Sequence, residues 1–158
     1  MICLALAPIL AVSLVTHTPS PKEVLIAKYK QFNASYLKSD RAGIDAWVKN
    51  NCQPKFSYTS FHKTKYSLDG FRTSLTQDMQ NTTRVISSTL TVRSVQAKGQ
   101  QQVVIIASEF KGMVNIDSRR YSLSDQSVDT DTWVKQGKEW KLQKRVQVNA
   151  DMQLQPAE

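Results

Sequence analysis

The second half of the chain, after Asn81, consists of four long segments in which β-branched and other apolar residues alternate with polar ones. A period of two is typical of β-strands with one buried face. The four predicted strands cover residues 83–97, 102–116, 120–135 and 139–150. Short turns, two of them built on Gly99 and Gly137, separate them, so consecutive strands are expected to pair antiparallel as a meander.

The first half of the chain has helical spacing instead. Four residues of the first predicted helix recur at intervals of four, three and four: Leu25, Tyr29, Phe32 and Tyr36. Ser20 is its predicted N-cap, and the helix runs to about Leu37. Asp40 and Ser67 are predicted caps of a second and a third helix. Residues 55–66, between these two helices, predict one strand or two short ones.

Helices gathered early and strands gathered late predict an α+β layer fold. The long strands must bury their apolar face, and the early helices are the available cover. A strongly curved antiparallel sheet wrapped around three N-terminal helices achieves this, because a flat sheet would leave part of that face wet.

Three segments carry a family resemblance: YLKSD at Tyr36–Asp40, SLDGF at Ser67–Phe71, and DTDTWVKQGKEWKL at Asp129–Leu142. Together they resemble the nuclear transport factor 2-like superfamily, and the last resembles the terminal hairpin of its SnoaL-like and kinase association-domain branches. The resemblance covers residues 21–152. It implies a cone-shaped (cystatin-like) α+β barrel that is closed at one end and open at the other.

The two ends of the chain differ from this domain. The segment Ile2–Val15 is almost wholly apolar and uncharged, which predicts a signal peptide over residues 1–20 and a secreted or periplasmic protein. A buried N-terminal helix is the alternative, and membrane attachment is expected only through an uncleaved segment. Residues 153–158 are predicted to form a frayed tail.

Composition excludes several kinds of site. The net charge is +8, but the basic residues are scattered rather than clustered, so nucleic-acid binding is not expected. With two His and two Cys, the chain offers no recognisable metal-ligand set. The five glycines form no phosphate-binding loop, and we expect no cofactor.

The leading hypothesis for function is a domain that binds a small, largely apolar molecule in the cone without catalysis. Eight residues are the predicted wall of this site: Tyr29, Trp47, Tyr58, Phe61, His62, Phe71, Asp131 and Trp133.

Two alternatives stay open. The resemblance implies that some relatives are lyases or isomerases, for which Asp131 and His62 would be the acid and base and Tyr29 a hydroxyl donor. A steroid-isomerase-like site would need a carboxylate in the strand region 55–66, which has none. The third hypothesis is an interaction module, a homodimer that forms through the outer face of the sheet. Its predicted contacts are Val128, Thr130 and Val134.

Overall fold

The computed structural model describes residues 18–157; most of the predicted signal peptide lies outside them. The helices are α1 (Pro21–Leu37), α2 (Arg41–Asn51) and α3 (Leu68–Asn81). The strands are β1 (Cys52–Thr59), β2 (Lys65–Ser67), β3 (Thr82–Lys98), β4 (Gln101–Ile116), β5 (Arg119–Gln136) and β6 (Glu139–Pro156). In the described part of the chain, no helix combines the length and the apolar character needed to cross a bilayer.

Side chains at the three helix starts fix where each helix begins. Ser20 and Glu23 form a reciprocal capping box at α1, with Pro21 in the first turn. Asp40 accepts a hydrogen bond from the Gly43 amide, and Ser67 caps α3 in the same way. All three predicted caps are confirmed.

The strands form one curved, open sheet in the order β2-β1-β6-β5-β4-β3. The meander from β3 to β6 is antiparallel, as predicted. The sheet as a whole is mixed, because β1 lies parallel to β6. The antiparallel prediction concerned the four later strands; β1, which precedes α3, adds one parallel pair on the side of β6 that faces away from β5.

Two β-bulges in β6 decide which of its side chains face inward. Trp133 pairs with Leu142 and Thr132 with Lys144, which leaves Gln143 as an extra residue. Asp129 pairs with Gln147 and Val128 with Asn149, which leaves Val148 as a second one. Each extra residue reverses the alternation of side chains. Arg145 and Gln147, between the bulges, therefore face inward, and Val148 is exposed.

The last residues of the chain are part of the sheet. Strand β6 continues to Pro156, which pairs with Tyr121 of β5. The predicted tail over residues 153–158 is thus wrong for residues 153–156, because β5 is long enough to offer them partners.

The helices pack on the concave face of the sheet, and the densest packing is near the β5–β6 turn. Trp47 of α2, Trp133 of β5 and Leu142 of β6 are all buried there. The Trp47 and Trp133 rings meet edge to face at 6.2 Å. This packing closes one end of the fold. Trp140, on the other side of the turn, is only half-buried.

The outer face of β5 carries the residues of the predicted dimer contact. Val128, Thr130 and Val134 alternate with the inward residues and are half-buried. A homodimer through this face stays a prediction.

Candidate functional site

A cavity of about 340 Å³ lies at the open end, between α1, α3 and the concave face of the sheet. Five aromatic rings line it: Phe32, Tyr36, Tyr58, Phe71 and Phe110. Leu75, Met152 and Leu154 add aliphatic surface. A largely apolar, concave site of this volume is typical of small-molecule binding sites.

Strand β5 runs from the cavity to the closed end, and its inner face changes from accessible to fully buried. Asp125 is half-buried, Asp129 is 6% exposed, and Asp131 is 0% exposed. Residues two apart on a strand face the same side. Asp125 and Asp129 therefore line the cavity, while Asp131 lies beyond its floor.

The Asp131 carboxylate is held in a fully bonded network. Arg145 donates to it from two nitrogens, at 2.8 Å and 2.6 Å. The Tyr29 hydroxyl donates to Oδ2 at 2.6 Å, and Trp133 Nε1 in turn donates to the Tyr29 oxygen at 2.7 Å. Burial, reinforced by the charge of Asp131, raises the pKa of Tyr29 well above its ordinary value. Tyr29 is consequently a neutral donor, and a bidentate ion pair satisfies Asp131.

Asp129 has no such partners. No side-chain hydrogen bond or ion pair joins its carboxylate to another residue of the described chain. Its unbonded oxygens are still in contact with the cavity. Burial raises the pKa of Asp129 to about 6; the charge of Arg145 opposes this shift, and the charges of Asp131 and Asp125 add to it.

The unpaired Asp129 predicts a specific pH dependence of stability. Its folded-state pKa of about 6 lies above the ordinary value of 3.8, so the folded protein binds the proton more tightly. Protonated Asp129 therefore contributes to the free energy of unfolding. This contribution is complete below about pH 4 and is lost as the pH rises through about 6. It amounts to about 3 kcal/mol. Asp129→Asn should therefore match the parent at pH 4 and exceed it in stability at pH 7, as measured by urea unfolding.

The control for this prediction is Asp69→Asn, which removes an exposed carboxylate outside the cavity. It is expected to keep the parent's pH profile. Asp78 and Asp125 also have raised pKa values, caused first by burial, so the quantity to compare is the difference between Asp129→Asn and the parent. The prediction would be contradicted if the free energies of unfolding of Asp129→Asn and the parent differed by the same amount at pH 4 and pH 7.

The structure places only two residues of the predicted wall, Tyr58 and Phe71, in the cavity lining. Tyr29, Trp47 and Trp133 are instead in the closed-end core. Their placement in the wall was wrong, because helix α2 and the β5–β6 hairpin fill that end with side chains. Phe61 is 40% exposed in the turn after β1, and its ring contacts His62. Neither of these two lines the cavity.

The predicted acid–base pair of His62 and Asp131 is not assembled. His62 is exposed in the turn between β1 and β2, and Asp131 is fully buried in the Arg145 ion pair. A single strand over residues 55–66 would have put His62 on the face of Phe56 and Tyr58, but β1 ends at Thr59 and His62 lies in the following turn.

Sequence reasoning missed Asp129 as a site residue and Arg145 altogether. Strict alternation from Trp140 and Leu142 would turn Lys144 inward, but the bulge at Gln143 puts Arg145 there instead. One signal was present: inward-facing aspartates on β5 require a buried cation on a neighbouring strand.

Metal ligands are not grouped in the described residues: no set of three or more His, Cys, Asp or Glu side chains is arranged to hold an ion. Cys52 is a buried free thiol, and burial raises its pKa to about 12, so it is not poised as a nucleophile.

No protein-family model matches the sequence, and no curated protein matches it significantly. Solved structures do match. An NTF2-like protein from Cytophaga hutchinsonii is 9% identical over 82% of this chain and 98% of its own, with a TM-score of 0.62. An NTF2-like protein of unknown function in nutrient uptake from Rhodospirillum rubrum is 15% identical over 78% and 95%, with a TM-score of 0.59.

A third match is a domain of unknown function with a cystatin-like fold from Nostoc punctiforme. It is 12% identical over 83% of this chain and 78% of its own, with a TM-score of 0.61. Likeness at such low identity concerns the arrangement of the backbone and leaves activity open. Residues 18–157 therefore have the NTF2-like, cystatin-like α+β fold.

Proposed function

We propose that this chain is a small-molecule-binding domain, which holds an apolar-bodied ligand in the open-end cavity without transforming it. One observation carries the proposal: a cavity of about 340 Å³, whose lining includes five aromatic rings, is open beside the buried core. Burying apolar ligand surface against such a lining is favourable at about 25 cal/mol per Å².

The test introduces a large side chain into the cavity and compares it with the same substitution outside the cavity. Ser127, on the inner face of β5, lines the cavity, whereas Ser124 lies on the outer face of the same strand. We expect the protein to bind N-phenylnaphthylamine, a neutral dye whose fluorescence rises in apolar surroundings. Ser127→Phe should weaken this binding at least about fivefold because its ring occupies the ligand's space.

Ser124→Phe is the matched control, with the same substitution on the same strand but the opposite face. It should bind the dye as the parent does. If the two variants bind the dye equally well, the dye lies outside the cavity; if the parent does not bind it, the proposal fails.

A second candidate is general acid–base catalysis by Asp129. The observation that favours it is the raised pKa of a carboxyl group that faces a cavity. Against it, burial raises the pKa values of the other titratable groups near Asp129, Tyr58 (to about 12) and Asp125, and Arg145 is paired with Asp131. Mass spectrometry of the ligand recovered after incubation separates the candidates: an unchanged ligand favours binding, and a converted one favours catalysis.

A further inference from the structure

The charges around the cavity are strongly one-sided. The acidic side chains that face it are Asp78, Asp125 and Asp129, and the basic residue of the described lining is Arg145. Arg145 is already matched by the bidentate bond to Asp131. The cavity is therefore negative, although the chain as a whole has a net charge of +8.

The decisive group is Asp129, because the charge of Arg145 offsets its burial only in part. It is 6% exposed, lines the cavity and has no hydrogen-bond or ion-pair partner in residues 18–157. Burying an unpaired carboxylate is unfavourable, and buried charges are normally paired. A positive group on a ligand would supply the missing partner.

The aromatic lining favours the same charge. Tyr58 and Phe71 lie at 5.3 Å from each other at the cavity wall, and the Arg145 guanidinium already lies 5.8 Å from the centre of the Phe71 ring. The faces of aromatic rings attract cations, organic ammonium groups included. A divalent metal ion is a poorer occupant, because the carboxylates of the described chain are not grouped for coordination.

We infer that the ligand is an amphiphilic organic cation, an amine or quaternary ammonium with an apolar body, and that its charged head binds at Asp129. The apolar body then extends toward the mouth, where Leu75, Met152 and Leu154 lie. This inference rests on the proposed function and adds the charge of the ligand to it.

Three probes with one skeleton separate charge from shape: phenylbutylamine, phenylbutanol and phenylbutyrate. Their affinities for the protein can be compared by calorimetry or ligand-observed NMR at pH 7.5. The amine should bind at least about tenfold more tightly than the alcohol, and the carboxylate most weakly, because one charge-assisted hydrogen bond is worth about that factor.

Two substitutions assign the preference to its residue. Asp129→Asn should reduce the advantage of the amine over the alcohol to about twofold or less. Asp69→Asn, which removes an exposed carboxylate outside the cavity, should keep the full advantage.

Each outcome is decisive. Equal affinity for the amine and the alcohol would overturn the inference while the binding function stands. Tightest binding of the carboxylate would also overturn it, since Arg145 would then be the recognition group. If none of the three probes binds and the neutral dye does not bind either, the proposed function fails and the inference falls with it.

Discussion

Asp131→Asn is expected to lower the free energy of unfolding by about 3–5 kcal/mol, because it leaves the buried Arg145 guanidinium without a counter-charge. Arg145 is 7% exposed, so little water is available to replace the lost carboxylate. The measurement is equilibrium urea unfolding at pH 7. Asp129→Asn is the matched control, since it makes the same change two residues earlier on the same strand face and removes a carboxylate that has no partner.

The two aspartates should thus respond in opposite directions. Asp131→Asn destabilises the protein, while Asp129→Asn stabilises it. A double variant, Asp131→Asn with Arg145→Met, should recover part of the loss because both charges are gone, and the resulting double-mutant cycle reports the coupling. A loss below about 1 kcal/mol for Asp131→Asn would contradict the role assigned to this ion pair.

Trp133→Ala is the second substitution with a large expected effect: it should lower the free energy of unfolding by about 3–5 kcal/mol. Trp133 is 0% exposed, meets the Tyr29 ring edge to face at 5.7 Å, and donates a hydrogen bond to the Tyr29 oxygen. Its removal leaves a void and takes one bond from the Asp131 network. Circular dichroism is the suitable readout, because the substitution alters tryptophan fluorescence.

Trp140→Ala is the control for this prediction. Trp140 lies across the same β5–β6 turn but is only half-buried at the margin of the core. Trp140→Ala should lower the free energy of unfolding by about 1 kcal/mol or more less than Trp133→Ala does, since it removes less apolar surface from the interior. Equal losses of unfolding free energy for the two substitutions would contradict the placement of Trp133 in the core and of Trp140 at its margin.

The sequence predicted the helices and the long strands well, and the reasons are local. Capping residues such as Ser20 and Asp40 fix helix starts through neighbouring atoms, and simple alternation along β5 is enough to put Asp129, Asp131 and Trp133 on one buried face. The site was harder to predict. Which residues line the cavity depends on which part of the concave face the packed side chains leave unfilled. Packing between distant segments decides this, and no local sequence pattern encodes it.

Strand β6 shows why the rest could not be predicted. Its two bulges place Arg145 inward against the simple alternation, and a bulge is set by pairing with β5 rather than by β6 alone. The binding hypothesis likewise placed Trp47 and Trp133 at the ligand because aromatic residues suit both a wall and a core. In the structure, both tryptophans are packed in the core at the closed end.

The parallel pairing of β1 with β6 has a consequence for how the molecule is assembled. Cys52 pairs with Leu142 and Thr59 with Val146, so one side of β1 stays without its neighbour until the much later strand β6 has been synthesised. Contacts between such distant positions are slow to form because a long loop must close first. We therefore expect the emerging polypeptide to keep this edge of β1 open until β6 has been synthesised and inserts between β1 and β5.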